Sequence, residues 1–338
     1  MKIAIIGAGL IGCERIQAIK ALEEETSQVS ISSVFDTDKN VLLKIKNKYN
    51  VNTVQSISEA MELKPDWVFI STPNHVVKNI AKQAFDIGAN VLLEKPFGRS
   101  LDECDDIIKL KPPQCKLNVG FNYRFFAGIE AALQDAKSGK FGKLVSVNLI
   151  LGHGNSPGME TSWKLDPIKC GDVCTDLGGH LLDLINQLSS GDVNVDYAKS
   201  WQGYWNTGIA EEVHWIATDN SGTIFNAQVS LNRWRSTFRL EINGTEGYGI
   251  VDGRGRSYGP QSYKVGKRWA WLDGKNQSDT EQIVINKDDC SNSFIKETAS
   301  VLGISKITEK YNSPLVACSY EEARNAMNLL NICQKKYK

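Results

Sequence analysis

A glycine-rich turn at the start of the chain constrains the fold more than any other feature. Gly7-Ala8-Gly9-Leu10-Ile11-Gly12 directly follows the apolar run Lys2–Ile6 and precedes a stretch of helical character at 13–25. A run of that length fits a buried strand. Between a buried strand and a helix, GxGxxG is a dinucleotide-binding fingerprint. Gly7 makes the tight turn, Gly9 lets the backbone approach a pyrophosphate, and Gly12 lets helix and strand pack closely. The free N–H groups and partial positive charge of the helix start then face the phosphates. The expected cofactor-facing set at this end is Gly7, Gly9, Leu10, Ile11 and Gly12.

The first third continues as alternating strand and helix. The stretch 29–36 is β-branched and reads as a second strand, Lys39–Tyr49 as a helix and 67–71 as a third strand. A helix over 75–87 stops at Gly88, and 90–93 reads as a fourth strand. Ser58 is expected to cap a short helix before the third strand. Strands separated by helices of about a dozen residues imply right-handed crossovers and a parallel sheet. Asp36, at the end of the second strand, lies at about the spacing of the acid that binds the adenosine ribose diol. A carboxylate there repels a 2′-phosphate, so NAD is favoured over NADP.

Beyond about residue 120 the pattern changes. A helix is expected over 126–138, a long strand over 143–152 and a helix over 176–188. From about 193 to 285 apolar and polar positions alternate, with turn signals at Asn220-Ser221-Gly222 and Asn243-Gly244. A last helix is expected over 319–335. The expected class is α/β: a doubly wound Rossmann sheet over 1–120, then an α+β domain over 121–338. That second domain carries a large, open-faced, mostly antiparallel sheet. It is expected to bind substrate and to drive oligomerisation, with the last helix packing back toward the first domain.

Bulk properties narrow the partners. The 338 residues carry 39 Lys+Arg against 39 Asp+Glu, so no global field gathers nucleic acid or an anionic membrane surface. The N-terminal apolar stretch breaks at Gly7, unlike a signal peptide, and no run approaches the roughly 18 apolar residues of a membrane span. A cytoplasmic chain is expected. Its eight cysteines are scattered without a CxxC pair, which suits reduced structural thiols and no metal site.

Three further segments complete a constellation. Ser71-Thr72-Pro73-Asn74 follows the third strand, and Glu94-Lys95-Pro96 follows the fourth. In the second half stands Gly171-Asp172-Val173-Cys174-Thr175-Asp176-Leu177-Gly178-Gly179-His180-Leu181-Leu182-Asp183. With the glycine loop, this set resembles the glucose–fructose oxidoreductase / inositol dehydrogenase / rhizopine-catabolism (Gfo/Idh/MocA) family. The D-x-G-x-H-x-x-D pattern of the family is present. Its triple glycine is reduced to Gly171, its leucine is Cys174, and Val77 stands where many members have histidine.

The resemblance implies that Ser71, Thr72, Pro73, Asn74, Glu94 and Lys95 line the cofactor. It also implies that Lys95 hydrogen-bonds the reacting hydroxyl and that the bond to Pro96 is often cis. Asp176 and His180 are implied to contact substrate, with Asp183 in support. Oxidising a carbinol needs a base for the hydroxyl proton and a cation for the developing alkoxide. His180 suits the first role and Lys95 the second. In a continuous helix, Asp176 at i and His180 at i+4 share one face. Asn122 and Arg124 are further candidates for the substrate pocket. Trp163 and Lys164 offer an aromatic face and an ammonium for a sugar or a sugar-nucleotide phosphate.

The expected activity is hydride transfer between nicotinamide and a sugar, cyclitol or sugar-nucleotide carbinol. An NAD-retaining glycosidase or epimerase and a dinucleotide-sensing binding protein are the competing classes. An open sheet face marks an interface, so a homodimer or homotetramer is expected.

Overall fold

The structure, a computed structural model, describes residues 1–159, 165–167, 169, 171–269, 281–285, 289–305 and 307–338. Two compact units form. The first combines Met1–Asn122 with Ser291–Met327, and the second Tyr123–Cys290 with Asn328–Lys338. The sequence boundary drawn near residue 120 left Ser291–Met327 with the second domain. Tertiary contacts return that segment to the first unit.

The first unit is built on five strands: Lys2–Ile6 (β1), Ser30–Phe35 (β2), Trp67–Ile70 (β3), Asn90–Glu94 (β4) and Leu117–Gly120 (β5). All pair in parallel, in the order β2-β1-β3-β4-β5. Helices Leu10–Glu25 (α1), Lys39–Tyr49 (α2), Ile57–Glu62 (α3), Asn74–Asp86 (α4) and Leu101–Leu110 (α5) connect them. Ile3, Ile5, Val68, Phe69, Val91 and Leu93 are essentially inaccessible, as strands covered on both faces require. The cap of α3 is Ser56, whose hydroxyl accepts from Glu59 N, and not Ser58. Ser56 has the extended backbone a capping residue needs, whereas Ser58 already lies inside the helix.

One buried cation ties this unit together. The Arg15 side chain on α1 is fully inaccessible. Its Nε donates to Glu94 at the end of β4 (2.6 Å), and its Nη2 donates to Glu297 (2.6 Å). Glu297 lies on Asp289–Leu302 (α8), which contributes Ser291 onward to this unit. Phe294 packs against the guanidinium at 4.8 Å.

In the second unit eight strands form one sheet. After the helix Ala127–Lys137 (α6) come Leu144–Gly152 (β6), the helix Gly179–Leu188 (α7), Val193–Trp201 (β7), Glu212–Asp219 (β8) and Ile224–Ser230 (β9). Thr237–Gly244 (β10), Gly247–Asp252 (β11), Gln261–Lys267 (β12) and Glu281–Ile285 (β13) follow, before α8 and the closing helix Tyr320–Tyr337 (α9). The order is β13-β12-β11-β10-β6-β9-β8-β7, antiparallel except for β6 against β9. One face is buried through Leu149, Trp215, Phe225, Phe238 and Leu240. The other face exposes Tyr197, Trp201, Ile216 and Ile224 at its β7–β9 end, while Arg239, Glu241 and Asp252 form an ion-pair network further along. Among the described residues no helix is long and apolar enough to cross a membrane.

Replacing Arg15 with methionine strands two carboxylates beside one another in the interior. The expected loss is about 3–5 kcal/mol of stability, the cost of breaking a buried ion pair from one side. Denaturant unfolding of Arg15→Met checks this; a change below about 1 kcal/mol would refute the assigned role.

Candidate functional site

The carboxyl ends of β1 and β3 meet where the strand order reverses, the position at which open α/β sheets bind ligands. The glycine loop crosses this point. A Cβ on Gly12 would lie 2.0 Å from the Gly7 carbonyl oxygen, so only glycine lets α1 approach the loop this closely. A Cβ on Gly9 would meet nothing within 4 Å. That open space lies over the start of α1, which has no side-chain cap and no acid in its first turn. By contrast α2, α3 and α5 are capped by Asp38, Ser56 and Ser100. The first N–H groups of α1 are therefore left for a ligand. Leu10 is exposed beside them and Ile11 is half-buried.

Asp36 fixes the loop from the end of β2. Its Oδ2 accepts from Ala8 N (2.7 Å) and its Oδ1 from Asp38 N (2.9 Å). Each oxygen keeps a second lone pair, enough for a diol. After β3 the Ser71 and Thr72 hydroxyls are buried without a hydrogen-bond partner. Unsatisfied buried hydroxyls are costly, and polar groups of a ligand would relieve them. Pro73 precedes Asn74, which opens α4 and is 5% exposed. These residues fit a dinucleotide: an open backbone cradle for phosphates, an anchored carboxylate for a ribose, and two hydroxyls seeking partners.

Glu94 ends β4, and its bond to Arg15 fixes the point from which Lys95 leaves the sheet. Lys95 is half-buried, its bond to Pro96 is cis, and Phe97 behind it is fully buried. Asn122 belongs to this unit too; its Nδ2 donates to Ser293 Oγ at 2.9 Å.

Arg124, Asp176 and His180 lie in the second unit. The sequence predicts one helix from Asp176 onward. The structure instead opens it with a π-helical turn, Cys174–Gly178, before α7 begins. Asp176 sits in that wider turn, so the regular i, i+4 relation to His180 does not apply. Such turns recur at functional sites. Below the turn, Asp172 accepts from Thr175 N (3.1 Å), Gln334 Nε2 (3.2 Å) and Tyr337 OH (2.7 Å). His180 is 7% exposed and stacks on Tyr123, with centroids 3.8 Å apart and rings 16° from parallel. Arg124 is committed to Asp183 through a buried two-pronged pair, Nε to Oδ2 at 2.8 Å and Nη2 to Oδ1 at 2.5 Å. That pair anchors α7, the helix that carries His180. Burial holds the Tyr123 phenol above its ordinary range, and the nearby Asp176 charge pushes the same way.

Trp163 and Lys164 lie outside the described residues. Sequence reasoning passed over Arg15 and Tyr123. Arg15 had one available signal, a cation at helical spacing from the buried Ile19 and Leu22 of α1. A cavity of about 410 Å³ bounded by Lys199, Trp201, Glu212 and His214 lies on the second unit's sheet and includes none of the predicted site residues.

Comparison with known proteins adds an independent line. Residues 1–121 match a family model described as oxidoreductase family, NAD-binding Rossmann fold, and residues 129–249 match the GFO/IDH/MocA C-terminal domain. The chain is 28% identical over 196 residues to the 1-carboxy-3-chloro-3,4-dihydroxycyclo hexa-1,5-diene dehydrogenase of Comamonas testosteroni, covering 55% of this chain and 47% of that protein. It is 24% identical over 196 residues to the glucose-6-phosphate 3-dehydrogenase of Bacillus subtilis (strain 168), covering 56% and 54%. These matches span about half the length of the two curated relatives. Levoglucosan dehydrogenase, solved with NADH and levoglucosan, superposes with a TM-score of 0.83 at 16% identity, covering 99% of this chain and 96% of that one. That likeness is one of fold.

The two glycines give opposite predictions. Gly12→Ala should destabilise the protein by about 1–3 kcal/mol, because the new Cβ strikes backbone. Gly9→Val should leave unfolding nearly unchanged and weaken NAD binding about tenfold or more, because it fills the phosphate cradle. Thermal unfolding and NAD titration of both variants check the pair; equal NAD affinity in Gly9→Val would exclude the cradle.

Proposed function

Because this chain belongs to the Gfo/Idh/MocA oxidoreductase family, we propose that it is an NAD-dependent dehydrogenase, or the matching reductase, acting on a ring carbinol. The observation that carries this reading is the cradle at the β1–β3 boundary, with open space over Gly9, the unpartnered Ser71 and Thr72 hydroxyls beside the glycine loop, and a helix start free of acids. The substrate class is a sugar, cyclitol or sugar-nucleotide. The two curated relatives support it, since their names specify a dihydroxylated six-membered carbocycle and a sugar phosphate.

When bound, NAD exchanges the hydride at its nicotinamide ring. The chain's own residues handle the rest. Lys95 places an ammonium against the substrate oxygen, where negative charge grows as the O–H proton leaves. Its position is preset by the Glu94–Arg15 pair on one side and buried Phe97 on the other. His180 takes that proton in oxidation and returns it in reduction. The Tyr123 face stacked on the imidazole favours the cation that proton uptake creates. Asp176 completes the substrate-facing set. Asp36 selects NAD, since a 2′-phosphate would approach a carboxylate already anchored by two backbone N–H groups.

We assign self-association to the β7–β9 end of the open sheet, where Tyr197, Trp201, Ile216 and Ile224 are exposed together. Light scattering at micromolar concentration should return a dimer or tetramer mass; a monomer mass would exclude this assignment. For the chemistry, a panel of polyols, aldoses and nucleotide sugars assayed with NAD and NADP should show NAD-linked turnover. On the best substrate, Lys95→Ala and His180→Asn should each lower kcat about 10²–10⁴-fold, with NAD affinity unchanged in His180→Asn. Wild-type turnover in either variant would remove that residue from the reaction.

A further inference from the structure

The loop after β11 carries a cation that the hydride chemistry does not use. Arg254 follows Gly253 and precedes Gly255, both at positive φ (74° and 86°). The loop is closed by Gly255 N donating to Gly259 O at 2.7 Å, and by Gly253 N donating to Phe238 O at 3.0 Å. The guanidinium lies over the Tyr258 ring at 3.8 Å and over the rings of Tyr123 and Phe126 at 5.2 and 5.9 Å. Tyr123 is the ring on which His180 stacks. A single aromatic side chain thus links Arg254 to the proposed proton carrier, all within the second unit.

Arg254 is partly buried, and its Nε is closed off from solvent without a hydrogen-bond partner. Among the described residues no carboxylate forms an ion pair with it. The two fully buried arginines behave differently: Arg15 takes two glutamates and Arg124 takes Asp183, while half-buried Arg233 donates to Gln228. Aromatic faces offset the desolvation of a guanidinium only in part, and they leave its Nε–H without an acceptor. A planar guanidinium without a carboxylate partner suits the paired oxygens of a carboxylate or phosphate.

We propose that Arg254 is a substrate-binding residue that receives an oxyanion, so that the substrate is a sugar or cyclitol bearing a carboxylate or phosphate group. The inference builds on the dehydrogenase reading for the identity of the ligand, but not for the anion site itself. A neutral polyol would leave the buried charge uncompensated. An acidic one neutralises it while its carbinol lies near His180.

The test compares wild type, Arg254→Lys and Arg254→Gln with matched probes: D-glucose, D-glucuronate and glucose 6-phosphate, then myo-inositol and its monophosphate. NADH formation gives kcat/KM, calorimetry in the presence of NAD gives affinity, and NAD titration alone checks the cofactor end. Wild type should prefer an acidic probe over its neutral parent by about 10- to 100-fold. Arg254→Gln should erase that preference, Arg254→Lys should retain part of it, and NAD affinity should be equal in all three. The carboxylate and phosphate arms show which oxyanion the site takes. An acidic preference that survives in Arg254→Gln, or no Arg254-dependent preference in any pair, overturns the proposal. Should Arg254→Gln fail to fold, an undiminished preference in Arg254→Lys overturns it equally. Arg254-dependent binding without NADH from any probe would sink the dehydrogenase reading and leave the anion site standing.

Discussion

A buried guanidinium shared by two carboxylates sets the geometry of the first unit. Arg15 brings together α1, the end of β4 and α8. Withdrawing three charges from water is tolerable only if their hydrogen bonds are made together, so none of the three elements can drift. Gly120 shows how little room is left: a Cβ there would lie 2.6 Å from Arg15 Nη2 and 2.8 Å from a Glu94 oxygen. The same helix that starts at the phosphate cradle therefore holds the residue before Lys95. The glycine loop and the start of the Lys95 segment share one support.

The second unit solves a parallel problem with different parts. Its key side chain, His180, sits near the start of a short helix that follows a π-helical turn. Such a turn widens the backbone and forfeits regular hydrogen bonds, so outside supports are needed. Asp172 provides one through the end of α9, and the Arg124–Asp183 pair provides another from the chain just before α6. Stacking on Tyr123 then fixes the plane of the imidazole. Lys95 follows a strand end and His180 lies on a short helix, and the buried ion pairs supply rigidity that those elements lack.

Much of this architecture was legible in the chain. Strands β1, β3 and β4 are runs of apolar residues bounded by turn signals, and their parallel direction follows from the helices between them. The alternation along β8 to β11 announced an antiparallel sheet with one wet face. Legibility failed where one local cue had two solutions. Ser56 and Ser58 are both good caps, and only the extended backbone of Ser56 decides between them. The run from Asp176 to Leu188 reads as one helix, yet nothing local distinguishes a π turn from an α turn at its start. The parallel pairing of β6 with β9 was likewise invisible, because strand neighbours far apart in sequence leave no mark on either strand.

What the chain determined alone was everything encoded by contiguous residues: the glycine loop, the strand–helix rhythm, Asp36 at a strand end, Glu94-Lys95-Pro96 behind another, and Asp176 four places before His180. What only tertiary structure decided was the pairing of polar groups across distance. Arg15 meets Glu297 across 282 positions, and Tyr123 and Arg254 join His180 from separate elements. The physical reason is that backbone periodicity is a property of neighbours. The partner of a buried charge is chosen by which groups the folded chain brings within a hydrogen bond's length, and by which it leaves without one.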